Sequence, residues 1–120
     1  MVTAVTSMGR SGLYDWLFQR VSAIVLLAYA LCVFFVAMGD PSYEEWSALY
    51  SQTWMRVFSL LALLALAMHA WVGLWAVFTD YLTERLMGRL GNVLRLIAQA
   101  ASGIIMFTYV VWGIQIVWGL

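Results

Sequence analysis

The 120-residue chain has few charged residues and no lysine: all six of its cations are arginine, and six acids balance them. Only 10% of the residues are charged and 65% are hydrophobic, which excludes an ordinary soluble globular domain and favours a membrane protein. The balanced charge also excludes the basic surface expected for nucleic-acid binding and the polybasic patch expected for binding to anionic lipids.

The chain contains one cysteine, Cys32, and one histidine, His69. A single cysteine cannot close an internal disulfide, and it cannot supply the ligand set of an iron–sulfur cluster or a zinc site. Because Cys32 lies within an apolar run, we interpret it as a small core residue. The first twenty residues lack the apolar stretch of a signal peptide, so we expect this end to belong to the mature protein.

Three long uncharged segments are present, at residues 21–38, 57–78 and 96–118. Each is long enough to cross a bilayer as a helix, and a Gly-Asp-Pro turn at 39–41 ends the first. Three membrane-spanning helices therefore account for most of the chain, and we expect them to form a single membrane-anchor domain spanning residues 1–120.

A short polar segment joins the first two spans. Its spacing of Trp46, Leu49, Tyr50 and Trp54 is typical of an amphipathic helix that lies in the membrane interface. The sequence thus predicts an all-α integral membrane protein with three transmembrane helices and a short interfacial helix between the first two.

The arginines are distributed unequally between the two sides of the membrane. Arg56 is the only one on the side of the interfacial segment, whereas five lie before the first span or between the second and third: Arg10, Arg20, Arg85, Arg89 and Arg95. Because positive charge concentrates on the cytoplasmic side, this bias predicts a cytoplasmic N-terminus and a periplasmic C-terminus.

The second span places small residues on the same side as His69. At 100° per residue these are Ala62, Ala65, Gly73 and Ala76, and bulky side chains lie on the far side. Such a face approaches either a neighbouring helix or a flat ligand closely. Burying an imidazole in the membrane costs free energy unless the ring is hydrogen-bonded or bound to a metal. His69 therefore ligates a metal, relays protons, or hydrogen-bonds to another helix. The small residues favour a planar group such as a porphyrin.

Asp80 and Tyr81 follow this span, about 18 Å from His69 along a continuous helix. A phenol there can donate a hydrogen bond to a quinone carbonyl, and a carboxylate can pass protons. The alternatives are an interfacial tyrosine and a helix-ending acid. Arg20 has two interpretations as well: it binds a carboxylate such as a haem propionate, or it extends to the interface.

The chain resembles the small hydrophobic membrane anchors of bacterial succinate dehydrogenase, the respiratory succinate:quinone oxidoreductase. The resemblance covers nearly the whole chain. It rests on GRSGLYDW near the N-terminus, R-x-S-A-I-V-L from Arg20, E-x-W in the first loop, the terminal VWG and, most specifically, HAWVGLWAVFTDY from His69 to Tyr81. In that last segment the histidine and the Asp-Tyr pair keep the family's interval of eleven and twelve residues.

The resemblance implies a non-catalytic subunit that shares one haem b with a second anchor subunit and docks an iron–sulfur subunit and a flavoprotein at the bacterial inner membrane. By the match, His69 is an axial haem ligand, and the second anchor supplies the other. Tyr81 and Asp80 belong to a ubiquinone site, and Arg20 is a neighbour of a haem propionate or of the quinone. Tyr14 stands where some relatives carry a histidine, so no role of that imidazole transfers to this chain.

Three other functions compete with this interpretation. The first is an anchor of a quinol:fumarate reductase, which runs the reverse reaction. The second is a haem-free structural or assembly protein in which His69 only bonds to another helix. The third is a small proton-coupled transporter, which the absence of any acid within the three uncharged segments disfavours.

Overall fold

A computed structural model describes residues 12–119 of the chain. These residues form three long helices and two short ones. The long helices are α1 (Gly12–Met38), α3 (Thr53–Tyr81) and α5 (Arg89–Trp118), and each is long and apolar enough to cross a membrane. Within the described range there is no strand, and the predicted all-α fold with three spanning helices is confirmed. The helices extend beyond the uncharged segments that predict them, at the N-terminal end of α1 and α5 and at both ends of α3.

The predicted short helix between the first two spans is also confirmed, as α2 (Tyr43–Ser51), although Trp54 of the predicted spacing lies on α3 instead. Its first turn is closed by a capping box: the Glu45 N–H donates to the Ser42 hydroxyl at 3.2 Å, and the Ser42 N–H donates to the Glu45 carboxylate at 2.8 Å. The chain reverses between α1 and α2 at Asp40, whose φ of 49° is left-handed, followed by Pro41, which has no N–H with which to continue a helix.

A tight connection links α3 to α5 through α4 (Glu84–Met87). The Thr83 hydroxyl caps α4 by accepting from the Leu86 N–H at 3.3 Å. Gly88 turns the chain into α5 with a φ of 67°, which glycine adopts without steric cost. Gly91 is buried against the Thr83 backbone, where a Cβ would lie 2.7 Å from the carbonyl carbon. The start of α5 is therefore held close to the end of α3.

The central helix is α3, which packs against both α1 and α5. Ser22 of α1 meets His69 and Tyr29 meets Ser59, so α1 and α3 are antiparallel. On α5, Gly103 approaches Trp71 and Gly113 approaches Leu63, so α5 is antiparallel to α3 as well. Antiparallel packing brings the N-terminal part of α1 beside the C-terminal part of α3.

Few large side chains are buried within this chain alone. Among residues 12–119, the buried hydrophobic side chains all belong to α3: Met55, Ala62, Ala65 and Val72. Most other large apolar side chains are exposed, as expected for helices that face lipid or other membrane subunits.

Candidate functional site

His69 of α3 is half-buried and is hydrogen-bonded to α1. The Ser22 hydroxyl oxygen lies 3.0 Å from His69 Nδ1, and the same hydroxyl donates to the Gln19 carbonyl at 3.1 Å. Since Ser22 has one hydroxyl hydrogen, donating it to Gln19 leaves the oxygen to accept from Nδ1–H. We infer that Nδ1 carries the imidazole proton. Nε2 then keeps its lone pair, which is the form of histidine that binds a metal.

The small-residue face around His69 packs against α1. Ala62 and Ala65 are buried on this face, and a Cβ on Gly73 would lie 3.7 Å from Gln19 Nε2. Of the two predicted uses of this face, a neighbouring helix occupies it over most of its length. A flat ligand could reach His69 only from a side of the imidazole that α1 does not cover.

Three polar residues of α1 line its contact with α3: Asp15, Gln19 and Ser22, which we call the α1 polar stripe. Asp15 is 7% exposed and Ser22 is 3% exposed. Gln19 Oε1 is buried and has no hydrogen-bond partner among residues 12–119. Asp15 and Gln19 were not among the predicted site residues, although their spacing of i, i+4 and i+7 with Ser22 is a helical signal.

Asp80 and Tyr81 form the last turn of α3, at the opposite end of the stripe from Ser22. Both are exposed, Tyr81 by 66%, and neither side chain hydrogen-bonds to another residue of the described range. Tyr81 lies twelve positions after His69 on α3, which is about 18 Å along the helix axis. The structure thus keeps the predicted quinone residues together and places them apart from His69.

Arg20 lies on the outer face of α1. Two residues correspond to about 200° of helix rotation, so Arg20 points away from the side on which Ser22 meets α3. Its guanidinium lies 4.9 Å from the centre of the Trp16 ring, a cation–π contact within α1. Arg20 forms no ion pair with Asp80. Along the axis of α1, Arg20 lies within about 3 Å of Ser22, and Ser22 lies beside His69.

The remaining residues considered for a site lie elsewhere. Tyr14 is half-exposed on the first turn of α1, and its ring is 6.3 Å from that of Phe18. Cys32 is a half-buried free thiol. The described residues contain no cluster of three or more histidine, cysteine, aspartate or glutamate side chains that could hold a metal ion. Arg10, which contributes to the predicted arginine bias, lies outside the described residues.

Comparison with known proteins identifies the chain's relatives. Residues 2–94 match the family described as succinate dehydrogenase/fumarate reductase transmembrane subunit. The chain is also 33% identical, over 116 residues, to the succinate dehydrogenase hydrophobic membrane anchor subunit of Coxiella burnetii (strain RSA 493 / Nine Mile phase I). The alignment covers 95% of each of the two chains. This chain therefore belongs to the succinate dehydrogenase/fumarate reductase transmembrane subunit family, as a membrane anchor that is not itself catalytic.

Proposed function

We propose that this chain and a second anchor subunit bind haem b and form part of a ubiquinone-reduction site in a bacterial inner membrane. In this role the chain also tethers the flavoprotein and iron–sulfur subunits of succinate dehydrogenase, so that electrons from succinate reach ubiquinone. Family membership and three spanning helices support the anchoring role. The name of the Coxiella burnetii relative favours succinate oxidation over the reverse reaction.

The hydrogen bond between Ser22 and His69 is the observation that carries the haem proposal. It occupies Nδ1 and leaves Nε2 as a metal-binding atom on a half-buried side chain within an uncharged segment. Haem b, when bound, supplies a one-electron carrier within the membrane. His69 would hold the haem from this chain, and because the chain has no second histidine, the second anchor would supply the other ligand. The contribution of this chain is to hold one imidazole in a fixed tautomer and orientation.

The exposed end of α3 supports the quinone proposal. The Tyr81 hydroxyl can donate a hydrogen bond to a quinone carbonyl, which favours the increase in negative charge on that oxygen during reduction. Reduction to quinol takes up two protons with two electrons, and the Asp80 carboxylate can accept and pass protons at the membrane edge. Both side chains are exposed, which leaves them available to a quinone and to another subunit.

Arg20 is assigned to a haem propionate or to the neighbourhood of the quinone. Arg20 lies at nearly the same level of the membrane as Ser22 and His69, whereas Asp80 and Tyr81 lie further towards the end of α3. Its position therefore favours a haem propionate over the quinone. An arginine on the outer face of a spanning helix also needs an anionic or polar partner, since an isolated charge in hydrocarbon is costly.

Purification through a tag on this chain tests the proposal. We expect a flavoprotein, an iron–sulfur subunit and a second anchor to co-purify, with the absorption spectrum of a low-spin b-type haem. The His69→Ala complex should lose or alter that spectrum. Met68→Ala is the matched control, because it shortens the neighbouring side chain on another face of α3. An unchanged spectrum and midpoint potential in His69→Ala would contradict the haem assignment and favour a structural role.

A further inference from the structure

A cavity of about 600 Å³ lies at the α2 end of the molecule. Side chains of α1, α3 and α5 wall it, and α2 lies across it. Leu63, Leu66, Gly113 and Ile116 supply much of its apolar lining, and His69 and Tyr81 take no part in it. Its volume is in the range of pockets that bind small amphipathic molecules.

A cluster of three hydroxyl groups lies at this cavity. The Tyr29 hydroxyl is 2.8 Å from that of Tyr50 and 2.9 Å from that of Ser59. Burial, together with the hydrogen bond that the Tyr50 hydroxyl shares with Tyr29, raises the pKa of Tyr50 above its ordinary value. Two hydrogen bonds among three hydroxyls use two of the three hydrogens. The third hydrogen can be donated to an acceptor on a bound molecule.

Arg56 adds a positive charge next to the backbone of Tyr50, outside the residues that line the cavity itself. It lies on α3 one turn before Ser59, and its Nε donates to the Tyr50 carbonyl at 3.1 Å. Its two Nη groups hydrogen-bond to no other residue of the described range and can bind a phosphate. Among residues 12–119 it is the only arginine at the α2 end of the helices.

We propose that this cavity binds one phospholipid from the leaflet on the α2 side, with an acyl chain between the helices. An ester carbonyl of the lipid accepts the spare hydrogen of the hydroxyl cluster, and its phosphate binds Arg56. The acyl chain restores the packing contacts that the cavity walls otherwise lack. Because bulk lipid offers the chain an equally apolar environment, the polar contacts supply the preference for this site.

A helix of another subunit fits this cavity less well than an acyl chain. A helix with side chains is about 10–12 Å across and must continue through the membrane surface. Here α2 lies over the cavity through Tyr43, Trp46, Ser47 and Tyr50, in the path that such a helix would take. This proposal goes beyond the haem and quinone roles and does not depend on either.

Photolabelling of the intact complex tests the lipid site. The purified complex is exchanged into lipid-free detergent, and the phospholipid that it retains is counted by native mass spectrometry. It is then incubated with a phosphatidylethanolamine that carries a diazirine on one acyl chain, irradiated and digested. We expect adducts on the peptides that contain Leu63, Leu66 and Ile116.

Two tryptophan variants of α5 distinguish the cavity from the general lipid surface. Ile116→Trp places an indole in the cavity, and we expect it to reduce the labelling of Leu63 and Leu66 about tenfold. Ile104→Trp is the control, because Ile104 is 68% exposed, close to the 70% of Ile116, and does not line the cavity. If Ile116→Trp does not assemble, Leu66→Trp, at a lining position that is 53% exposed, takes its place, with Ile116 labelling as the readout.

Three outcomes would overturn the lipid assignment. Equal labelling in the two tryptophan variants would show that the cavity does not select the probe. Competition by ubiquinone, without competition by unlabelled phospholipid, would identify a quinone instead. Labelling that appears only in the His69→Ala complex would mean that haem fills the space. None of these results changes the outcome of the co-purification test of the proposed function, so the two proposals fail separately.

Discussion

The Ser22 hydroxyl oxygen lies 3.0 Å from Nδ1 of His69, across the contact between α1 and α3. Forty-seven positions separate these residues in the sequence, and only the antiparallel packing of the two helices brings them together. Because the Ser22 hydroxyl also donates to the Gln19 carbonyl, the hydrogen bond selects one tautomer of His69 and directs Nε2 away from Ser22. Ser22 is thus a positioning residue for the proposed haem ligand.

Removal of the Ser22 hydroxyl should weaken haem binding without removing the ligand. Loss of such an outer-shell partner typically costs about 10–100-fold in metal affinity, so we expect Ser22→Ala to lower the haem content of the complex. Ser22→Thr keeps the hydroxyl and should restore it. The measurement is haem per flavin in purified complex, together with the haem midpoint potential.

Ser102→Ala on α5 serves as the control for Ser22→Ala, since it also removes a serine hydroxyl from a spanning helix but one that forms no hydrogen bond with His69. The positioning role would be wrong if Ser22→Ala matched the parent complex in both haem content and potential. A parent complex that contained no haem would instead refute the proposed function itself.

Loss of the Tyr81 hydroxyl should impair quinone reduction selectively. A hydrogen bond to a substrate that gains negative charge is worth about 1.5–3 kcal/mol, so Tyr81→Phe should lower succinate:quinone activity about tenfold or more. Succinate oxidation with an artificial acceptor should stay near the parent rate, because it does not need the membrane site. Tyr109→Phe is the control, since Tyr109 is similarly exposed, at 60%, but lies on α5. Equal loss of both activities would indicate failed assembly.

Sequence patterns predicted the elements of this fold more fully than their contacts. Hydropathy located the three spanning helices, and the aromatic spacing after Pro41 located α2, because both signals are local. The contact of α1 with α3 depends on helix register between distant segments, which local periodicity does not specify. Sequence patterns therefore did not identify Ser22 as the partner of His69, and Gln19 was missed.

The small-residue face of α3 shows the same limit. Periodicity correctly grouped Ala62, Ala65 and Gly73 with His69, but a small face suits a helix and a flat ligand equally. The structure places α1 against it, so these residues explain how the helices approach each other. The case for haem now depends on the orientation of His69 and on family membership.

The connection after Tyr81 should tolerate no side chain at Gly91. A Cβ there would overlap the Thr83 carbonyl group, and backbone atoms cannot move aside as a flexible side chain can. We expect Gly91→Ala to destabilise the chain by about 1–3 kcal/mol and to lower quinone reduction by displacing the end of α3. Thermal unfolding of the complex in detergent measures the first effect.

Gly103→Ala is the matched control for Gly91→Ala on the same helix. Its Cβ would lie 3.6 Å from the Trp71 ring, an ordinary contact, so the change should be neutral or stabilise α5 by up to about 1 kcal/mol. If both alanine variants unfolded at the same temperature as the parent, the close approach of Gly91 to Thr83 would not constrain the connection.

The arginine bias predicts which side of the membrane each connection faces, and cysteine labelling can test it. After Cys32→Ser removes the only native thiol, Gln52→Cys and Leu86→Cys place new thiols at exposed positions of opposite connections. A membrane-impermeant maleimide added to spheroplasts should label Gln52→Cys and should label Leu86→Cys only after lysis in denaturant. The reverse pattern would invert the orientation and would place Tyr81 on the periplasmic side, where a cytoplasmic iron–sulfur subunit could not reach it.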